Sequence, residues 1–247
     1  MNAYIISDLH LCKSRPETVL LFKNFLSEKV IPSKSTLYII GDFFEVWISD
    51  DIATEFQIDI MNALKKVTEA GCQLFFIHGN RDFLIGSQFA KETGCTLLND
   101  PHYFKLGQKQ LCLMHGDLLC TDDKAYQVFR KFVRNPFIKF LFSSFPKRLR
   151  EKIARRIRSK SESKKTRHAM MVDVTEKGIN QYCKNTDLLI HGHTHLLNTH
   201  QHGNLTRFVL GDWHDTGSYI HIRNESAALY YFDPAEQIGN TFNFQPQ

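Results

Sequence analysis

The chain has 247 residues, of which 43% are hydrophobic and 23% are charged, enough for one domain with a sizeable core and unlike disordered or collagen-like proteins. The net charge of +5 is unevenly distributed, because residues 130–167 contain fifteen lysines and arginines against two glutamates, a net +13 that leaves −8 elsewhere. Such a cationic segment favours an anionic partner over a merely solvated surface.

The cysteines and the apolar runs indicate the cellular compartment of the protein. The six cysteines show no zinc-type spacing, and several lie in apolar runs, as buried thiols in a reducing compartment do. The first residues already have a strand-like pattern without a signal sequence before it, and the sequence contains no apolar run of about 18 residues. We therefore expect a cytosolic protein that does not span a membrane.

Five short apolar runs that end in polar residues predict buried strands: AYIISD, TLYIIGD, QLFFIHGN, QLCLMHGD and DLLIHGH. Between the first three lie helical patterns at residues 16–30 and 54–70; the second stops at Gly71. A strand–helix–strand–helix–strand beginning predicts an α/β fold.

The middle of the chain has a different pattern. After Gly116, apolar residues recur at helical spacing, and Pro136 and Pro146 divide this region into short helices. Strand-like runs resume at Asp187. We predict a single domain over residues 1–247 with a helical insertion at approximately residues 122–168.

The predicted strand ends carry oxygen and imidazole donors. Ligands of open α/β sheets collect beyond the carboxyl ends of the strands, so we expect these side chains to converge. Seven mixed donors exceed the four of a tetrahedral zinc site and suit two ions about 4 Å apart with a bridging carboxylate. Donors without thiolate favour manganese, iron or zinc. The seven residues are Asp8, His10, Asp42, Asn80, His115, His193 and His195.

The series DLH, GDFFE, GNRD, HGD and GHTH resembles the motifs of the calcineurin-like metallophosphoesterases. The resemblance implies a four-layer αββα sandwich and two divalent metal ions, most simply Mn²⁺. It also implies a division of the donors. Asp8, His10 and His195 would hold one metal, Asn80, His115 and His193 would hold the other, and Asp42 would bridge them.

Longer stretches, including ISDLHL, GDFFEVWISDD and FIHGNRDFLIG, are similar to one branch of that family. This branch hydrolyses the lipid-linked sugar nucleotide UDP-2,3-diacylglucosamine of lipid A biosynthesis to UMP and 2,3-diacylglucosamine 1-phosphate, and it carries a helical insertion over an acyl-chain pocket. The resemblance also implies a set of substrate contacts. Lys165, Arg167 and His168 are alternative matches for the remaining substrate-binding positions of the family. These contacts are Asn80, Arg81, Asp123, Ser161, Lys165, Arg167, His168 and His193.

Arg81 stands where most relatives have a histidine that protonates an alkoxide leaving group. Arginine keeps its proton, but the leaving group of a pyrophosphate is itself a phosphate and departs unprotonated. We expect Arg81 to bind phosphate oxygens as a bidentate clamp, with Asp82 orienting or neutralising its guanidinium. The alternative is a purely structural role for Arg81 and Asp82. A hydroxide held between the two metals would attack the uridine-linked phosphorus.

The predicted insertion is both apolar and basic. Its apolar surplus suits acyl chains, and its cations suit anionic lipid headgroups. We expect a monomer that binds peripherally to the cytoplasmic face of the inner membrane. The apolar residues are Phe129, Phe132, Val133, Phe137, Ile138, Phe140, Leu141, Phe142 and Phe145.

Two other functions fit parts of the sequence. A soluble phosphodiesterase or nucleoside-diphosphate-sugar hydrolase would use the same metals without the lipid. A non-catalytic scaffold or RNA-binding module would use the basic stretch for phosphates, but it would not need seven metal donors, and the aromatic residues lack the arrangement of an RNA platform. We therefore expect no nucleic-acid partner. Trp47 is predicted to be a core residue.

Overall fold

The computed structural model describes residues 1–168, 173–233 and 236–244, with the side chains of residues 158–168 outside the description. Twelve strands form two sheets. The strands are β1 (Asn2–Ile6), β2 (Thr36–Ile40), β3 (Leu74–Ile77), β4 (Thr96–Leu98), β5 (His102–Leu106), β6 (Lys109–Leu113), β7 (Leu188–His191), β8 (Asn198–His202), β9 (Leu205–Val209), β10 (Gly217–Arg223), β11 (Ser226–Phe232) and β12 (Gln237–Asn243).

The helices fall into a group before β4 and a group after β6. They are α1 (Pro16–Phe25), α2 (Glu55–Glu69), α3 (Ser87–Thr93), α4 (Lys124–Val133), α5 (Pro136–Ser143), α6 (Lys147–His168) and α7 (Glu176–Tyr182).

The two sheets differ in size and in strand direction. The larger has the order β12-β11-β10-β1-β2-β3-β4, and β1 to β4 are parallel. The smaller has the order β5-β6-β7-β9-β8, and β6, β7 and β9 are parallel. The predicted donors all follow parallel strands, namely β1, β2, β3, β6 and β7, so each sheet delivers its donors to one edge.

Alternation along the strands builds the layers. In β1, Ile5 packs between the two sheets, whereas Ile6 packs against the helices α1 and α2. In β6, Leu113 faces the space between the sheets, whereas Cys112 packs with Ile179 of α7. Strands buried on both faces are continuous apolar runs, and the predicted four-layer αββα sandwich is confirmed.

The two early helices test the predicted boundaries. The helix predicted over residues 54–70 is confirmed as α2, which begins with a capping box between Thr54 and Gln57. The helix predicted over residues 16–30 is regular only to Phe25, and Leu26–Val30 forms a π-helical turn. The apolar spacing of residues 16–30 could not reveal the change from α-helix to π-helix, because buried residues continue across it: Phe25 ends α1, and Leu26 and Val30 lie in the π-helical turn.

Helices α4, α5 and α6 lie within the predicted insertion. Pro136 begins α5, and Asn135 caps it by accepting the Phe137 N–H at 2.9 Å. Neither α4 nor α5 contains a fully buried side chain. Over the described parts of the chain, no helix has the length and apolar character needed to cross a bilayer.

Candidate metal centre

The predicted donors meet where the carboxyl ends of both sheets converge. Backbone hydrogen bonds join the loops that follow β1 and β2: Asp8 N–H donates to Gly41 O at 3.1 Å, and His10 N–H donates to Asp42 O at 2.9 Å. In the second sheet, Gly192 N–H donates to His115 O at 2.9 Å. These bonds fix the donor-bearing loops against one another.

The backbone at this edge is unusual. Five of the seven predicted donors have a left-handed conformation, with φ between 48° and 69°, although none is glycine. That region costs non-glycine residues of the order of 1–3 kcal/mol each, and such residues concentrate at functional sites. The residues are Asp8, His10, Asp42, His193 and His195.

Glycines before the donors allow the loops to approach closely. A Cβ at Gly192 would collide with the Asp8 carboxylate and the Ser7 side chain, and a Cβ at Gly79 would collide with Asp42. The Asp8 carboxylate can therefore accept the His193 N–H at 2.9 Å. The glycines of the GN and GH motifs are needed for this packing.

Asp8, His10 and His195 form the first donor group. The Nε2 atoms of the two histidines are 3.3 Å apart, and Asp8 Oδ1 lies 3.3 Å from His195 Nε2 and 4.0 Å from His10 Nε2. Asp8 Oδ1 is buried, and no well-aligned hydrogen bond reaches it from the described residues. Three ligand atoms around a point that lacks a protein donor fit a cation.

Asp8, Asp42 and His115 form the second group, so the two groups have Asp8 in common. Asp42 Oδ1 is 3.6 Å from His115 Nε2, and Asp42 Oδ2 is 3.9 Å from His10 Nε2. His115 Nε2 lies 3.0 Å from Asn80 Oδ1, and its Nδ1 lies 3.2 Å from Ile40 O. If Nδ1–H donates to that carbonyl, the Nε2 lone pair faces the oxygens. The His193 ring centroid is 5.0 Å from that of His115.

The charges of the site favour a bound cation. Burial lowers the pKa of His193 to about 3, so its imidazole is neutral and offers a lone pair. Burial also lowers the pKa of His195, but the nearby carboxylates of Asp212 and Asp8 outweigh that effect and raise its pKa to about 10. Burial and the nearby Asp8 raise the pKa of Asp42. Carboxylates that attract a proton this strongly also attract a divalent cation.

Two carboxylates behind the donors were not predicted from the sequence. Glu45 Oε2 lies 3.4 Å from His10 Nδ1, and Asp212 Oδ2 lies 3.5 Å from His195 Nδ1. Carboxylates at this position orient a ligating imidazole. The sequence could have identified Asp212, because in FVLGD an apolar run is followed by Gly and Asp, as it is at Asp42.

Arg81 lies beside the donors, but the partner predicted for it is wrong. Its Nη1 is 3.5 Å from Glu45 Oε1. The Asp82 carboxylate is buried and accepts the backbone N–H groups of Phe43 and Gly79, each at 2.7 Å. Asp82 therefore holds two loops together, the structural role that the sequence left open, and does not orient the guanidinium, because its side chain is directed to the core.

Among the other predicted substrate contacts, the structure describes the side chain of Asp123 but not those of the four residues in α6. Asp123 caps α4 by accepting the Tyr126 N–H at 2.9 Å, the helix-capping role that adjacent acidic residues often have. Its contact with substrate remains a prediction. The side chains of Ser161, Lys165, Arg167 and His168 lie outside the described residues.

The model of the calcineurin-like phosphoesterase family matches residues 1–197. The chain belongs to this family. A "UDP-2,3-diacylglucosamine hydrolase" of Pseudomonas fluorescens is 42% identical over 241 residues, covering 95% of this chain and 97% of that protein. One of the same name from Ectopseudomonas mendocina is 41% identical over 228 residues, covering 90% and 94%. The resemblance inferred from the motifs is confirmed.

A solved structure supports the fold. Vacuolar Protein Sorting 29 from Cryptosporidium parvum matches with a TM-score of 0.52 at 13% identity, covering 98% of this chain and 97% of that one. Membership of the phosphoesterase family implies divalent metal ions, and the two donor groups fit them in ligand type, burial and spacing.

Proposed function

We propose that this protein hydrolyses the pyrophosphate bond of UDP-2,3-diacylglucosamine, releasing UMP and 2,3-diacylglucosamine 1-phosphate. The observation that carries the proposal is the name shared by relatives about 40% identical over nearly their full length. The convergence of all seven donors where the two sheets meet supports it, because a phosphoesterase that had lost its chemistry would not need them.

The donors would hold two divalent cations, most simply Mn²⁺. Asp8, His10 and His195 would form the first subsite, and Asn80, His115 and His193 would form the second, with Asp42 shared. When bound, the ions would supply charge neutralisation at the phosphate oxygens and acidify a water molecule. The absence of cysteine from both donor groups favours manganese, iron or zinc over a thiolate-preferring metal.

The protein's own groups would bind and orient the pyrophosphate. Arg81 carries a permanent charge next to Asn80, and Glu45 holds its guanidinium. A guanidinium at this place would stabilise charge on phosphate oxygens without transferring a proton. A leaving group that departs as a phosphate needs no such transfer, and this substitution for histidine therefore favours a pyrophosphate substrate.

The helical insertion would bind the lipid part of the substrate. Phe137 and Phe140 of α5 are each 69% exposed, and Phe132 of α4 is 59% exposed. Exposed aromatic residues next to a basic helix suit a lipid surface. We propose peripheral binding to the cytoplasmic face of the inner membrane; the monomeric state stays a prediction.

Product analysis tests the proposed reaction. The metal-free protein is supplied with Mn²⁺ and either UDP-2,3-diacylglucosamine in detergent or UDP-N-acetylglucosamine. We expect UMP from the acylated substrate and far less from the other. Equal rates would favour a nucleoside-diphosphate-sugar hydrolase, and failure to release UMP from either would reject the proposal.

A further inference from the structure

Helix α4 has two chemically different faces. Tyr126, Arg130 and Arg134 follow one another at intervals of four, which places them on one side of the helix. All three contact the body of the protein, and we call them the inner face. On the outer side, Val128 is 71% exposed and Phe132 is 59% exposed. The two arginines thus point inward, whereas Val128 and Phe132 point outward.

Arg130 binds two buried carboxylates. Its Nε donates to Asp117 Oδ2 at 2.7 Å, and its Nη2 donates to Asp100 Oδ2 at 2.6 Å. The other oxygen of Asp100 accepts the backbone N–H of His115 at 3.2 Å. Leaving two buried carboxylates without their cation is costly, so Arg130 fixes the position of Asp100 and, through it, the His115 loop.

The other two residues of the inner face lie against His193 and against the backbone that leads to Asn80. The Tyr126 hydroxyl donates to Asp117 Oδ2, and its ring stacks on His193 at a centroid distance of 6.3 Å. Arg134 Nη2 donates to Gly79 O at 2.9 Å and to His78 O at 3.3 Å, the two carbonyls directly before Asn80.

The inner face thus contacts or supports Asn80, His115 and His193. The first donor group has different supports, because Glu45 lies against His10 and Asp212 lies against His195. Both of these carboxylates belong to the body. The two subsites consequently depend on different parts of the chain.

We propose that the inner face of α4 is the outer shell of the second metal subsite, so that docking of the helical insertion and metal binding at Asn80, His115 and His193 stabilise each other. The inference rests on the proposed pair of metals. Such coupling is reciprocal: an insertion held in place raises metal affinity, and the metal holds the insertion in place. Tyr126, Arg130 and Arg134 act here as positioning residues.

Mn²⁺ titration of the metal-free protein tests this, with free Mn²⁺ followed by electron paramagnetic resonance. In Arg130→Met, one of two binding steps should weaken by about 10- to 100-fold, as for other outer-shell changes, while the other step is kept. The curve should approach that of Asn80→Ala, which lacks a second-subsite ligand. The control is Lys131→Met, an exposed cation on the same helix, which should match wild type.

Two outcomes separate this inference from the proposed metal pair. If wild type and Arg130→Met both bind two ions with equal affinity, or if both steps weaken equally in the variant, the coupling is wrong and the metal pair stands. If wild type binds fewer than two ions, both are overturned.

A conservative variant and a second measurement cover a variant that fails to fold. Tyr126→Phe keeps the ring stacking and removes one hydrogen bond, so its second step should weaken less than that of Arg130→Met. Hydrogen exchange over residues 124–134 should slow when Mn²⁺ is added to wild type but not to Asn80→Ala. Equal slowing in both would overturn the coupling.

Discussion

Asp42 lies between a histidine of each predicted metal subsite, His10 and His115. Its carboxylate oxygens lie 3.9 Å from His10 Nε2 and 3.6 Å from His115 Nε2. The side chain is buried near Asp8, and this position raises its pKa. A carboxylate in this position does little for packing, which makes Asp42 a direct probe of the metal centre.

Asp42→Ala and His115→Ala should each abolish turnover while the chain still folds, because each change removes a proposed metal ligand and leaves the apolar core intact. Metal content per folded chain, measured by mass spectrometry, should fall below that of wild type. Asp59→Ala is the matched control, since Asp59 pairs with Lys23 on the surface and should change neither quantity. Full occupancy with intact activity in Asp42→Ala would refute the assignment.

Arg81→His tests the phosphate clamp. The change should lower kcat/KM on the acylated substrate, because it removes charge-assisted hydrogen bonds to the pyrophosphate. The loss of transition-state stabilisation should be about 1.5 to 3 kcal/mol. Arg81→Lys keeps the charge but not the fork of donors and should lose less. Wild-type kcat/KM in Arg81→His would show that Arg81 does not bind the phosphate.

The metal donors were predictable because each follows an apolar run at a strand end. Their supports were harder to predict. Glu45 lies three residues after Asp42, and sequence spacing does not say that it turns back to His10. Asp82 shows the opposite error, because adjacency to Arg81 suggested a contact that the fold does not make.

Counting the cations of the insertion overestimates the positive charge that its surface offers to an external partner. Several of the cations counted over residues 130–167 are not directed to an external anion. Arg130 pairs with Asp100 and Asp117, and Arg150 pairs with Asp51. These two residues pair with carboxylates of the body, so the predicted lipid headgroup contacts depend on the other cations of the insertion.

The Asp51–Arg150 pair should make stability depend on pH. Hydrogen bonds from Arg150 hold the pKa of Asp51 below its usual range. The pair therefore stabilises the fold above the unfolded-state pKa of about 3.9 and loses this effect as pH falls. Asp51→Asn should lower the free energy of unfolding by at most about 1 kcal/mol at neutral pH, since the Asp51 side chain is 46% exposed.

Urea unfolding of the metal-free protein checks this prediction. The deficit of Asp51→Asn should be constant from neutral pH to about 5 and should shrink below about 4. Asp59→Asn, whose partner Lys23 is itself exposed, should show a smaller deficit throughout. A deficit of Asp51→Asn that grows on acidification would contradict the pairing.

The exposed aromatic residues of α5 should determine membrane binding. The double change Phe137→Ser and Phe140→Ser should lower partitioning onto anionic vesicles by at least about tenfold, since burying one such side chain is worth roughly 1.5 to 3 kcal/mol. Leu20→Ser is the control, because Leu20 is 61% exposed on α1, outside the insertion. Co-sedimentation measures both, and equal losses would argue against a lipid-facing α5.

Strands with a polar face were missed. The strands β8 (NTHQH) and β12 (QIGNTFN) lie at the edges of their sheets, where half-exposed positions interrupt any apolar run. The strands β4 and β5 are short or alternate between exposed and half-buried residues. An apolar run identifies a central strand buried on both faces, and edge strands lack that signal.

The sequence predicts which donors share a strand edge, but it does not predict that the two edges face each other. The strand-end rule brings Asp8, Asp42 and Asn80 to one edge, and it separately brings His115 and His193 to another. That these edges belong to different sheets and face each other follows from the order β12-β11-β10-β1-β2-β3-β4 packing on β5-β6-β7-β9-β8. Order and packing depend on long-range contacts that a single sequence does not specify.

Hydrolysis of UDP-2,3-diacylglucosamine in ¹⁸O-labelled water, with mass analysis of both products, tests the reaction and its geometry together. If the insertion binds the acyl chains, the uridine end lies beyond the donors, and water attacks the uridine-linked phosphorus. The label should then appear in UMP. Label in 2,3-diacylglucosamine 1-phosphate would contradict this orientation, and formation of neither product would contradict the reaction itself.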